Sequence, residues 1–316
     1  MADAPGVLSF VIFGTGRSGT TLVQRLCAEL PDVWVPGETH FWNLADRARY
    51  RFEFPLRGRA RAEAVDWILE ELQDRNLPLT AVPYMDELRA RPRRIGLWQL
   101  YEAMVAAMSP PVAVLGEKTP NHIAWWEHFA RFQPHIKFLA VVRDPRAVLA
   151  SQARVPWGER DPYALAERWL AHQRSLRDCS RLVGPQRCLV IRYEDLVEDI
   201  SRHHAAIAAF LGVAFEPQEL DAEQLSRYPL FSTEEPWKAN ATGEVTSVHV
   251  DSWRDALGGH EVAIVESTCL PEMKLYGYEP VGSGAAPPPG PESREKVEAF
   301  RQWYAMVAAL DNLPVY

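Results

Sequence analysis

Hydrophobic positions cluster at once. Val7, Leu8, Phe10, Val11, Ile12 and Phe13 form an apolar, β-rich run that stops at Gly14. A polar segment punctuated by glycines follows, and then Leu22, Val23, Leu26 and Leu30 recur at helical spacing. The pattern predicts a strand, a tight loop and a helix. Short apolar runs return at Val33 to Val35, Val112 to Gly116, Lys137 to Val142 and Cys188 to Ile191, and each reads as a buried strand. Between them, Asp161 to Cys179 reads as a helix burying Ala164, Leu165, Trp169 and Leu176. Val262 to Leu275 reads as a closing helix that ends near Gly277. Strands that alternate with helices in this way predict an α/β fold, a mostly parallel sheet flanked by helices on both faces.

Other stretches break the rhythm. Ala62, Val65, Trp67, Ile68, Leu69 and Leu72 predict a helix within an Arg- and Glu-rich region, residues 47–75, whose charges read as a solvated face. Residues 76–96 carry several prolines and read as loops around a short helix, a natural place for a substrate lid. Residues 232–254 are long and loop-like. The first 280 residues therefore read as one domain, 281–291 as a Pro/Gly-rich linker, and 292–316 as a C-terminal amphipathic helix. Val297, Phe300, Trp303, Tyr304, Val307 and Leu310 share one face of that helix. Such a face needs a surface: its own domain, the active site, or a second subunit in a homodimer.

The first loop carries the clearest chemistry. Gly14-Thr15-Gly16-Arg17-Ser18-Gly19-Thr20-Thr21 has the spacing of a nucleotide-triphosphatase P-loop, except that Thr20 stands where the lysine belongs. Glycines let the backbone approach an anion, and the N-terminus of the following helix favours negative charge. Arg17 can fork onto a phosphate or sulfate. Glu38 lies about twenty residues on, past the Pro36-Gly37 turn. From spacing alone it is equally a turn carboxylate or a base facing the same crevice. Lys118 sits where a strand meets a segment that Thr119 and Pro120 can start as a helix. Arg143 ends the Lys137 to Val142 strand, and Ser151 lies two turns along the next helix, a spacing that lets both reach one phosphate. Tyr193 follows another strand end and is equally a core tyrosine or a ligand contact.

Phe13-Gly14-Thr15-Gly16-Arg17-Ser18-Gly19-Thr20-Thr21-Leu22 resembles the 5′-phosphosulfate loop of sulfotransferases that use 3′-phosphoadenosine 5′-phosphosulfate (PAPS), in particular the bacterial and tyrosylprotein branch. Arg143-Asp144-Pro145-Arg146-Ala147-Val148 with Ser151 resembles the same family's 3′-phosphate segment, in the expected order, and the likeness extends over about residues 7–278. The resemblance implies that Arg17, Ser18, Gly19, Thr20 and Thr21 hold the 5′ end and that Arg143, Ser151 and Arg154 hold the 3′-phosphate, although Arg154 stands one residue closer to Ser151 than in tyrosylprotein relatives. It implies that Tyr193 contacts the nucleotide, that Glu38 is the catalytic base, and that Lys118 and Arg17 stabilise the transferring group. Relatives close the site with a basic residue near a tryptophan. Lys238, Ser247 and Arg254 compete for that place here, and Ser247 is expected among the nucleotide contacts.

Composition changes the picture little. A net charge of −8 argues against a general nucleic-acid binder. The four cysteines form no Cys-x-x-Cys pair, which fits a reduced, cytoplasmic protein. No apolar run is long enough to span a membrane, and the N-terminus lacks a signal pattern. His122, His128 and His135 are too widely spaced to form a metal set, so no metal is expected. The reading is a PAPS-dependent sulfotransferase acting on a hydroxyl acceptor, a small molecule or natural product, without nucleic-acid partners. Its rivals are a P-loop kinase and a non-catalytic nucleotide-binding module.

Overall fold

A computed structural model describes residues 8–51, 63–71 apart from 65 and 69, 97–215, 250–282 and 284–308. Ser247, Lys238, the expected loops at 76–96 and residues 232–249 of the expected loop at 232–254 lie outside the described residues; the rest of that stretch is described and ends in a short helix from Trp253. The chain runs β1 (Leu8–Gly14), α1 (Thr20–Ala28), β2 (Val33–Trp34), α2 (Phe41–Arg51), α3 (Leu97–Ala107), β3 (Val114–Lys118), a 3₁₀ turn (Pro120–Trp125), α4 (Trp126–Phe132), β4 (Lys137–Val142) and α5 (Pro145–Gln152). It continues through α6 (Pro162–Val183), β5 (Cys188–Arg192), α7 (Tyr193–Glu198), α8 (Ile200–Leu211), α9 (Trp253–Ala256), α10 (Gly259–Leu275) and α11 (Pro291–Ala308). Residues of 63–71 are also helical, as the periodicity predicts.

The strands form one parallel sheet in the order β2-β3-β1-β4-β5. β1 lies at its centre because every residue but Ser9 is buried, which suits a strand covered on both faces. Val11 and Phe13 join a core with α3, α4, α6 and α10, while Phe10 and Ile12 join a second core with α1 and α8. Helices thus cover both faces, as expected. The chain leaves β1 toward β2 on one side of the sheet and leaves β4 toward β5 on the other. The carboxyl ends of β1 and β4 therefore open the crevice where such sheets place their ligands.

Two local expectations need correction. Thr119 precedes a 3₁₀ turn, and its side chain makes no cap; its hydroxyl donates to Glu117 instead. Phe41 and Trp42 begin a helix that their hydrophobic pattern hid, because both rings are buried within an aromatic cluster beside Trp98, Tyr101 and Phe129.

The C-terminal helix packs on its own domain. Trp303 Nε1 donates to Asp46 Oδ2 (2.7 Å), and its ring meets Trp125 edge to face at 5.6 Å. Tyr304 donates to Ser175 Oγ (2.8 Å), Arg301 forks onto Glu167 (2.8 and 2.7 Å), and Val307 is buried. Trp303, Tyr304 and Val307 of its apolar face thereby pack against the chain's own core. Among the described residues, no helix is long and apolar enough to cross a membrane.

Candidate active site

The loop after β1 owes its shape to two residues with left-handed backbone. Gly19 (φ 96°) is the N-cap of α1 and offers no side chain to its first-turn N–H groups. Arg17 takes φ 76°, a conformation that costs a non-glycine residue free energy and gathers at functional sites. Its Nε donates to Ser151 Oγ on α5 (3.2 Å). Ser151 therefore meets Arg17 of the first loop, whereas the sequence pairs it with Arg143. Gln152 Nε2 donates to Gly16 O (3.2 Å), a second tie from the same helix.

Arg143 closes the other side. It is buried, donates from Nη1 to Arg17 O (3.1 Å), and stacks its guanidinium 4.2 Å from the centre of the Tyr193 ring. The Tyr193 ring lies so close to Gly19 that a Cβ there would stand 2.3 Å from Cδ2. Glu194 accepts from the Asp144 N–H (3.0 Å) and from Tyr278 Oη (2.7 Å), fastening the start of α7 to the start of α5. Burial pushes its carboxyl above the usual range. Asp144 caps α5 by accepting from the Arg146 N–H (2.9 Å). Arg17, Gly19, Arg143, Ser151 and Tyr193, spread over the chain, thus form one continuous wall. Arg154 lies exposed on the turn after α5.

Behind the loop, Thr15 Oγ1 pairs with His172 Nδ1 (3.1 Å), and the ring is fully enclosed against Phe300 and Tyr304 of α11. Burial, helped by the nearby Arg168 charge, pushes the His172 pKa down to about 3. The folded pKa is depressed, so this contribution to stability is complete above the ordinary value of 6.5 and is lost as pH falls toward 3. Between those limits the unfolded chain binds one proton more, and stability falls by about 1.4 kcal/mol per pH unit. From pH 7 to 5.5, denaturant titrations should show the wild type losing about 1 kcal/mol more stability than His172→Gln.

A second group of residues lies at the end of β3, beside β1 through the Ile12–Lys118 register. Lys118 is fully buried and donates from Nζ to Glu38 Oε1. Glu38 Oε2 faces His40 Nε2 at 3.3 Å, and His40 holds φ 51°. Gln24 of α1 donates to Val35 O (3.3 Å) and Pro36 O (2.8 Å), which holds the turn ahead of Glu38 against the helix that begins at the loop. Sequence reasoning places Glu38 and Lys118 in one crevice and misses their direct pairing, as it misses Gln24, His40 and His172.

The wall fits an anionic nucleotide on one further count. Ser18 Oγ is buried within the loop and makes no hydrogen bond among the described residues, so the loop presents a hydroxyl with unused capacity. With the open N-terminus of α1 and the Arg17 guanidinium, it supplies donors suited to a phosphate or sulfate. Among the described residues, no group of three or more His, Cys, Asp or Glu side chains is placed to hold a metal.

A model of the sulfotransferase family matches residues 9–217. The chain is similar to a "Putative protein-tyrosine sulfotransferase" of Caenorhabditis briggsae, 22% identical over 275 residues, covering 84% of this chain and 87% of the relative. It is also similar to carbohydrate sulfotransferase 3 of Tetronarce californica, 26% identical over 178 residues, covering 49% of this chain and 38% of the relative. The fold resembles the sulfotransferase domain from the Synechococcus PCC 7002 olefin synthase, with a TM-score of 0.53 at 22% identity over 88% of this chain and 97% of that one.

Proposed function

Since this chain belongs to the sulfotransferase family, we propose that it takes PAPS as donor and sulfates a hydroxyl, with the loop at Gly14–Thr21 and the Glu38–Lys118 pair as its working parts. The observation that carries the reading is the junction of Arg17, Gly19, Arg143, Ser151 and Tyr193 in one wall beside that pair. Bound PAPS supplies the sulfuryl group and a phosphate leaving group.

The chain's own residues do the rest. Ser18, Thr20, Thr21, the first-turn N–H groups of α1 and Arg17 hold the 5′ end, and Thr20 replaces the lysine that a triphosphate would need. Arg143 and Ser151 hold the 3′-phosphate, with Arg154 near enough in sequence to add a cation and Tyr193 flanking the nucleotide. Ser247, a further nucleotide contact in this reading, lies outside the described residues.

Glu38 takes the proton from the acceptor hydroxyl as its oxygen bonds to sulfur and the bond from sulfur to the bridging oxygen breaks. Lys118 fixes the carboxylate through Oε1, and Oε2, on the His40 side, takes the proton. Lys118 and Arg17 also stabilise the charge that spreads onto the sulfuryl and leaving oxygens. Positioning and electrostatics supply most of the acceleration in such transfers. The acceptor is a small-molecule or natural-product hydroxyl.

Calorimetric titration of 3′-phosphoadenosine 5′-phosphate, ADP and ATP tests the reading. The 3′-phosphate compound should bind tightest, and Arg143→Ala should erase its advantage over ADP, a loss of about 10- to 100-fold. Equal or tighter ATP binding that ignores Arg143 would return the chain to the kinase class.

A further inference from the structure

A carboxylate at the end of β3 has no part in the chemistry above, yet the fold encloses it completely. Glu117 is fully buried, on a strand whose register sets it opposite Val11. The space around it is aromatic. The ring of His122, which it contacts, lies about 6 Å from those of Tyr101, Trp125 and Phe129. Burying a charge there is costly unless it is paired and hydrogen-bonded.

It is both. Glu117 Oε1 accepts from Thr39 Oγ1 (2.9 Å) and Thr119 Oγ1 (2.6 Å), and Oε2 meets His122 Nδ1 (3.1 Å). The Trp42 N–H donates to His122 Nε2 (3.4 Å), which leaves Nδ1 to carry the ring proton toward Glu117. Burial alone would raise the Glu117 carboxyl. The His122 ring and the two hydroxyls outweigh it and hold the group below the usual range.

The partners have a common direction. Thr39, His40 and Trp42 belong to the segment that carries Glu38, and Thr119 and His122 follow β3. Along a strand, neighbouring side chains point to opposite faces. Lys118 therefore holds Glu38 from one side while Glu117 holds Thr39 from the other. The His40 N–H donates to Thr119 Oγ1 (3.2 Å), and the Phe41 N–H donates to Thr39 Oγ1 (3.3 Å). Consecutive residues at the end of β3 thus grip consecutive residues of the Glu38 segment.

From this geometry we infer that Glu117 is a positioning residue: through Thr39, Thr119 and His122 it clamps residues 38–42 onto β3 and so holds Glu38 at Lys118. The inference rests on the proposed roles of Glu38 and Lys118, and its test uses a readout that does not need them. Because the clamp is made of hydroxyl and imidazole contacts to a single carboxylate, it should fail locally when that carboxylate is neutralised.

Hydrogen exchange read by mass spectrometry on the full-length chain tests the clamp. Glu117→Gln should speed amide exchange at 40–42 by about 10- to 100-fold, while the amides of Phe10 to Phe13 in β1 keep wild-type protection. Thr39→Val should show the same local loss and Thr39→Ser should restore protection, a pair that decides the matter if Glu117→Gln does not fold. Unchanged exchange at 40–42, an increase shared equally by β1, or a serine variant no better than valine would each overturn the clamp. Calorimetry with 3′-phosphoadenosine 5′-phosphate on the same variants should give affinities within about threefold of wild type. If the wild type itself does not bind that nucleotide, the proposed function falls while the exchange result still judges the clamp.

Discussion

Glu38→Gln should lower sulfuryl transfer by about 10²- to 10⁴-fold, the usual worth of a positioned general base, and leave the affinity for 3′-phosphoadenosine 5′-phosphate near wild type. The amide keeps the shape of the carboxylate and cannot take a proton. It also sets a neutral group against Lys118 Nζ, which is fully buried. The two consequences separate in measurement. Lost proton transfer lowers turnover at saturating donor, whereas a disturbed loop would raise the donor concentration needed for half-maximal rate. The assay is transfer of labelled sulfate to the best acceptor from a panel of phenols, sugars and peptidyl tyrosines. A variant that turns over at the wild-type rate removes Glu38 from the mechanism.

Gly19→Ala should be the most damaging small substitution in the loop, for two independent reasons. The residue holds φ 96°, where any Cβ costs about 1–2 kcal/mol. That Cβ would also stand 2.3 Å from Cδ2 and 2.8 Å from Cε2 of Tyr193, so the ring must move. The ring cannot move alone, because Arg143 stacks on it at 4.2 Å and its neighbour Glu194 is bonded to the Asp144 N–H. Overpacking of this kind adds about 1–3 kcal/mol, and the combined loss should appear as a lower denaturation midpoint. Nucleotide affinity should fall by about a hundredfold or more, since the displaced elements include Arg143, the residue proposed to hold the 3′-phosphate. Gly16→Ala is the control. Its nearest neighbour would be Gln152 Nε2 at 3.7 Å, an ordinary contact, and it should cost less than about 1 kcal/mol. Equal damage from both alanines would show that the clash with Tyr193 is not the reason.

The fold was legible because its determinants are local. The strands at Leu8–Gly14 and Lys137–Val142 are short apolar runs, too apolar to sit anywhere but the middle, whereas β3 runs two residues past its expected apolar stretch to take in Glu117 and Lys118. The loop was legible for the same reason, since its glycines, arginine and threonines are contiguous. What escaped depends on residues distant in sequence. Nothing near Thr15 announces His172, which lies 157 positions away, and nothing near Thr39 announces Glu117, 78 positions away. Glu117 stands just past the apolar run that the sequence ends at Gly116, and both its place in β3 and its partner are legible only once β3 and the Glu38 turn are brought together. The helix at Phe41–Arg51 escaped because its first turn is aromatic and buried in a cluster shared with α3 and α4, so its periodicity reflects the cluster more than a simple amphipathic face.

The sheet order has a consequence for how the chain is made. β1 is synthesised first and sits in the centre, hydrogen-bonded to β3 on one side and β4 on the other. About a hundred residues separate the end of β1 at Gly14 from the start of β3 at Val114, and at about 5–20 residues per second the ribosome needs about 5–20 s to supply them. During that interval Phe10, Val11, Ile12 and Phe13 have no sheet to join. Any pause or premature stop before Val142 releases an apolar strand with an unpaired edge, the kind of template on which nascent chains aggregate.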